Sequence, residues 1–109
     1  MKKIYTLFLG LILISSAANS QTIFAIQNTT APNGDSPENG NIVTTKGVVT
    51  AVIQNGPGAG SFFLQDGSGA WNGLYIFETG TVVSRGDSVT TTGTVDEFNN
   101  TTELISVTN

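Results

Sequence analysis

From Gly47 to Phe98 one pattern runs almost without interruption: Gly-Val-Val-Thr-Ala-Val, then Phe-Phe-Leu-Gln-Asp-Gly-Ser-Gly, then Leu-Tyr-Ile-Phe, then Gly-Asp-Ser-Val-Thr-Thr-Thr-Gly-Thr-Val. Each run has the two-residue period of a strand with one buried face, and glycines punctuate the joins. No stretch shows helical periodicity, and no repeat or second domain is visible. The expected fold is all-β, a small barrel.

The first twenty residues stand outside this pattern. Lys2 and Lys3 make a charged start, and Leu7 to Ile14 is an apolar run shorter than the ~20 residues of a membrane span. Ala18-Asn19-Ser20 then places small residues ahead of Gln21. Residues 1–20 are expected to be a cleaved signal peptide, and the mature protein to be secreted, periplasmic or extracellular. An uncleaved anchor is the alternative, for which the apolar run is short. Cysteine is absent, so neither acylation nor disulfides are expected.

Loss of the leader removes two of the four cations. Lys46 and Arg85 then stand against eight acidic residues, and the formal charge moves from −4 to −6. A protein that neutralises phosphates on single strands shows a log-log salt slope of roughly −0.7 per contact, so two cations allow only a shallow one. Nucleic-acid affinity in this chain has to be weak, aromatic in origin, or borrowed from a partner.

The mature chain divides into a leading segment, 21–41, and a barrel domain, 42–109. Thr22 to Gln27 is β-prone and reads as a short leading strand. Asn28 to Asn41, with Pro32, Pro37 and two Asn-Gly steps, reads as an ordered loop. Strands are expected at Ile42–Ile53, Ser61–Asp66, Leu74–Glu78, Asp87–Val95 and Thr102–Val107, with a hairpin loop over Asn55–Gly60 and tight turns at Asp66–Gly69 and Asn99-Asn100. Gly47, inside the first long strand, predicts a bulge or a sharp bend. Five strands with a kinked first one match the OB-fold Greek-key barrel, and an SH3-like barrel is the competitor. The short Thr79–Arg85 link leaves room for a loop or a single turn where many OB folds carry a helix.

Alternation assigns the side chains. With Val43, Thr45, Gly47 and Val49 inward, Lys46, Val48 and Thr50 point out. Phe62, Leu64, Leu74 and Ile76 go to the core, which turns Phe63, Gln65, Tyr75 and Phe77 outward and leaves Trp71 in the adjoining turn. OB folds bind oligonucleotides and oligosaccharides on this strand two and three face. Base–aromatic stacking is worth roughly 1–3 kcal/mol per base and needs no positive field. The nucleic-acid-binding residues expected on this face are Lys46, Phe63, Gln65, Trp71, Tyr75 and Phe77. The alternative is that these rings pack under the Asn28–Asn41 loop, under the leading strand, or against a neighbouring chain.

No catalytic apparatus can be assembled. Histidine is absent, which removes the commonest general base and any Ser-His-Asp or Cys-His arrangement. Asp96 and Glu97 are adjacent and point different ways, unlike a paired acid and base. Asp66-Gly67-Ser68-Gly69 lacks the later oxygen ligands of a calcium loop, so neither metal nor cofactor is expected. Arg85-Gly86-Asp87-Ser88 spells an integrin-recognition tetrapeptide, but Gly86 and Asp87 are better explained as the turn into a strand. The sequons at Asn28, Asn99 and Asn100 are expected by chance in so Asn- and Thr-rich a chain.

Several pieces taken jointly carry a resemblance: Asp35-Ser36-Pro37, the run Val43 to Val52, Phe62-Phe63-Leu64-Gln65-Asp66, Gly86-Asp87-Ser88-Val89 through Gly93-Thr94-Val95, and Glu97-Phe98 followed by Thr102-Glu103-Leu104. Together they resemble the OB-fold modules that accompany extracellular nucleases and related phosphoesterases in secreted bacterial proteins. The resemblance implies a non-enzymatic module that binds single-stranded nucleic acid or positions a nuclease. A glycan-binding or adhesion module and a purely structural interaction domain are the rival expectations.

Overall fold

A computed structural model describes residues 19–54, 60–78 and 80–108, with Gln54 described by its backbone alone. Most of the expected leader (residues 1–18) and most of the Asn55–Gly60 hairpin loop lie outside the described residues. The elements in chain order are β1 (Asn19–Ser20), α1 (Ile23–Gln27), β2 (Ile42–Gln54), β3 (Gly60–Gln65), β4 (Gly73–Ile76), β5 (Ser88–Phe98) and β6 (Thr101–Thr108).

The long strand β2 closes the barrel. Its first half, Ile42 to Val48, pairs antiparallel with β5, and its second half, Val48 to Gln54, pairs antiparallel with β3. The circuit then runs β2-β3-β4-β6-β5 and back to β2, with β4 and β6 parallel. This is the OB-like Greek-key order. Five barrel strands form within a few residues of their expected bounds, and β1 adds a short parallel pairing to β2 through Asn19 and Ser20. Cleavage after Ser20 would remove β1 and leave Gln21, whose N–H donates to the Thr44 carbonyl at 2.8 Å.

Gly47 is not the bulge. The extra residue on β2 is Thr50, between the pairs Val49–Leu64 and Ala51–Phe63, so Thr50 and Ala51 both face outward and Val52 returns inward. Gly47 instead allows a close approach. A Cβ there would lie 2.9 Å from the Gln65 carbonyl oxygen, where β2 passes from one partner strand to the other. Gly93 does the same for β5, where a Cβ would meet the Ile105 carbonyl at 2.9 Å. Opposite it β6 carries a bulge, with Ser106 in the left-handed region at φ 53°. Asn99 and Asn100, at φ 49° and 63°, form the two-residue hairpin between Phe98 and Thr101, with the two positive φ values of a type I′ turn.

The segment expected as a leading strand is a helix. Thr22 caps it by accepting from Ala25 N–H at 3.1 Å, Asp66 accepts from Ile23 N–H at 2.9 Å, and Gln27 Nε2 donates to the Gly73 carbonyl at 2.8 Å. Five residues cannot sustain a helix alone. Ile23 and Ile26, three apart on one face, are fully buried in the same cluster as Val43, Val49, Phe62, Leu64, Leu74, Ile76, Val95 and Leu104. Burying two isoleucines is worth about 1.5–3 kcal/mol each, which outweighs the β propensity of the run. The β4–β5 link contains turns and no helix among its described residues, so the N-terminal helix supplies apolar packing to the barrel.

Ser36 ties the loop over 28–41 to the helix and to β5. Ser36 Oγ donates to the Ile26 carbonyl and accepts from Glu38 N–H at 3.0 Å. Ser36 N–H donates to Glu97 Oε1 at 2.8 Å, and Thr102 Oγ1 donates to the same oxygen at 2.7 Å. The loop then joins β5 through Gly40 N–H to Val95 O and Val95 N–H to Asn41 O. Within the barrel, the cross-strand partners Thr45 and Thr91 bury hydroxyls with no hydrogen-bond partner.

Two stability outcomes follow for chemical denaturation. Ile26→Ala is expected to lower the unfolding free energy by about 2–5 kcal/mol, as for other buried large-to-small changes. The double change Thr45→Val with Thr91→Val removes two unsatisfied hydroxyls at nearly constant shape and is expected to leave stability unchanged or raise it by up to about 2 kcal/mol. A fall in stability for that pair would mean that the hydroxyls are satisfied in solution.

Candidate ligand-binding face

Outward side chains of β2, β3, β4 and β6 share one face of the barrel, and it has three zones. At the end near the β3–β4 turn, Lys46, Val48, Thr50 and Gln65 line an open groove of about 570 Å³ with Asp66, Gly67 and Ser88. Two of these groups are already engaged. Gln65 Nε2 donates to the Gly67 carbonyl at 2.7 Å, and Asp66 receives the Ile23 N–H. The Asp66 carboxylate lines the same groove as Lys46 and weakens its positive field.

In the middle, Phe63 and Tyr75 sit directly across the β3–β4 pair with ring centroids 5.1 Å apart and planes at 45°. That is a favourable tilted aromatic contact. The residue opposite Phe63 on β2 is Ala51, too small to cover the ring, and Phe63 stays exposed.

Beyond Tyr75, a smaller groove of about 280 Å³ is lined by Tyr75, Phe77, Phe98, Glu103 and Ile105. Phe77 and Phe98 are exposed on it, Phe98 by 61%. Glu103 pairs in register with both Tyr75 on β4 and Asp96 on β5 and is only 6% exposed. Burial pushes its carboxyl above the usual range, and a hydrogen bond to the Asp96 carboxyl, with the charges of Asp96 and Glu97, pushes the same way. Asp96 and Glu97 do point apart: Asp96 meets Glu103, while Glu97 holds Ser36 and Thr102.

Of the six residues expected on this face, Lys46, Phe63, Gln65 and Phe77 are exposed on it and Tyr75 is half-buried. Phe63, Tyr75 and Phe77 lie along adjacent stretches of it, and Lys46 and Gln65 form the separate groove at one end. Trp71 is exposed in the β3–β4 turn at φ 70°, and among the described residues the aromatic ring pair is Phe63–Tyr75, without Trp71. The loop over 28–41 runs beside β5 and lines neither groove, so it does not cover the rings. Sequence reasoning missed Phe98, Glu103 and Ile105 as neighbours of Tyr75. Alternation around Leu104 was the signal that could have turned Glu103 outward, but the parallel β4–β6 register has no local signal. Among the described residues no group of three or more His, Cys, Asp or Glu side chains is placed to hold a metal ion.

Comparison with protein-family models gives no match, and comparison with curated proteins gives none.

The raised carboxyl makes a pH prediction. A group whose folded-state pKa lies above its unfolded value contributes stability that is present at low pH and lost as pH rises through the folded pKa. Wild-type protein is therefore expected to lose stability, relative to Glu103→Gln, which keeps the neutral shape, as pH rises above the ordinary carboxylate range. Thermal melts of the two proteins across that rise check this, and parallel curves would contradict it.

Proposed function

We propose that this chain is a secreted, non-catalytic OB-fold binding module that takes single-stranded nucleic acid weakly, alone or as an accessory to an extracellular nuclease. The observation that carries the reading is the Phe63–Tyr75 ring pair, with Phe63 exposed and Tyr75 half-buried, in the middle of the strand face on which OB barrels receive oligonucleotides. Stacking supplies the affinity, with Phe77 and Trp71 as flanking platforms and Lys46 and Gln65 as polar contacts at one end. With one lysine on the face, salt dependence is shallow.

A second reading, glycan binding, is favoured by a different observation. The Asp96–Glu103 carboxyl pair next to Tyr75 and Phe77 repels phosphate but accepts hydrogen bonds from sugar hydroxyls, while the rings offer apolar platforms.

Titration of a fluorescent oligonucleotide at low and moderate salt tests the first reading. Wild type is expected to bind at low salt with a slope near that of one phosphate contact, and Phe63→Ala with Tyr75→Ala to weaken binding by at least about tenfold. No binding by wild type at low salt, together with saturable binding on a glycan array, would transfer the function to the second reading.

A further inference from the structure

We propose that the groove between β4 and β6, closed at one end by Phe98, binds a small organic ammonium cation, with its charge against Glu103 and its alkyl groups against Tyr75, Phe77 and Phe98. Glu103 is more than nine-tenths buried, and it is one of the residues lining this groove. Its influences within the fold are burial, the Asp96 carboxyl and the Glu97 charge, all of which oppose the anion. No cation or N–H group among them compensates it. Such a carboxyl holds its proton in the free protein, and once ionised it favours a positive partner from outside.

The other walls define the kind of cation. Three aromatic side chains border about 280 Å³, and aromatic faces attract weakly hydrated alkylammonium groups through the ring quadrupole. Hard metal ions need six or more oxygen ligands, which one buried carboxylate and its neighbour do not supply. Phosphate and carboxylate ligands are repelled, and a neutral apolar ligand brings no charge to set against the Asp96–Glu103 carboxyl pair. The volume lies just under the ~300–1,000 Å³ of drug-sized sites, which suits a single head group rather than a polymer unit.

The inference does not rest on the nucleic-acid reading. It shares Tyr75 and Phe77 with that face, but its charge comes from Glu103 and its far wall from Phe98. A cation that binds the ionised pair displaces its proton, so affinity rises with pH. The titratable groups facing Glu103 are Asp96 and Glu97 on β5 and the Tyr75 phenol on β4.

The test is NMR titration of the intact mature chain, without oligonucleotide, following the ring signals of Tyr75, Phe77 and Phe98. Choline is expected to shift them saturably in the millimolar range, more tightly at about pH 8 than at about pH 5. Its uncharged isostere 3,3-dimethylbutan-1-ol is expected to give no saturable shift. Phosphocholine is expected to bind more weakly than choline, which marks a free cation rather than a lipid head group. Glu103→Gln and the surface change Phe98→Ala are each expected to weaken choline by at least about tenfold and about threefold, respectively. No saturable shift in wild type, equal binding of the isostere, tighter binding of phosphocholine, or unchanged choline affinity in Glu103→Gln would each overturn the proposal. Loss of choline binding with oligonucleotide binding intact would leave the first function standing.

Discussion

The fold depends on a single strand serving two neighbours. β2 pairs with β5 along its first half and with β3 along its second, and the handover at Gly47 and Val48 is what turns a meander into a closed circuit. A side chain at Gly47 would occupy the space of the Gln65 carbonyl, so the backbones approach as closely as they do because nothing is attached there. The Thr50 bulge three residues later adds the twist that brings the second half of the strand around, and the Gly93 contact with the Ser106 bulge performs the matching service on the far side. With both strand edges consumed in closure, the edge-to-edge aggregation hazard of a small sheet is largely removed.

Closure fixes what the outer face can present. Because parity is locked by the buried set of Val43, Val49, Phe62, Leu64, Leu74, Ile76, Val95 and Leu104, the rings of Phe63, Tyr75 and Phe77 have no inward option. The face is electrically uneven. Lys46 marks one end, neutral rings the middle, and Glu103 with Asp96 the other end, so a ligand lying along it meets a gradient rather than a uniform field.

Much of this was legible in the sequence, and the misses have particular causes. Strand parity at Val43–Val49, Phe62–Gln65 and Leu74–Phe77 follows from alternation alone, and Asn99-Asn100 reads as a tight turn because asparagine tolerates positive φ. Glycine inside a strand points to a bulge or a sharp bend at Gly47, yet Thr50 carries the bulge; a threonine bulge has no compositional mark. Thr22 to Gln27 is β-prone by residue type. Its helical form is decided by tertiary burial of Ile23 and Ile26 and by a cap from Asp66, which lies 43 residues away. The groove around Glu103 depends on β4 and β6 lying parallel across the barrel, a pairing that local pattern does not encode. Ser36, noticed only as part of a short Asp-Ser-Pro string, proves to be the junction of helix, loop and β5.

The N-terminal helix has a consequence for where the domain begins. Ile23 and Ile26 belong to the same apolar interior as the strands, and Ser36 with Glu97 ties the intervening segment to the wall. A boundary drawn at Ile42, where the first long strand starts, would leave the cylinder uncorked, with water admitted to Leu74 and its neighbours. A fusion or excision that treats 22–41 as a dispensable tether discards the stopper along with it.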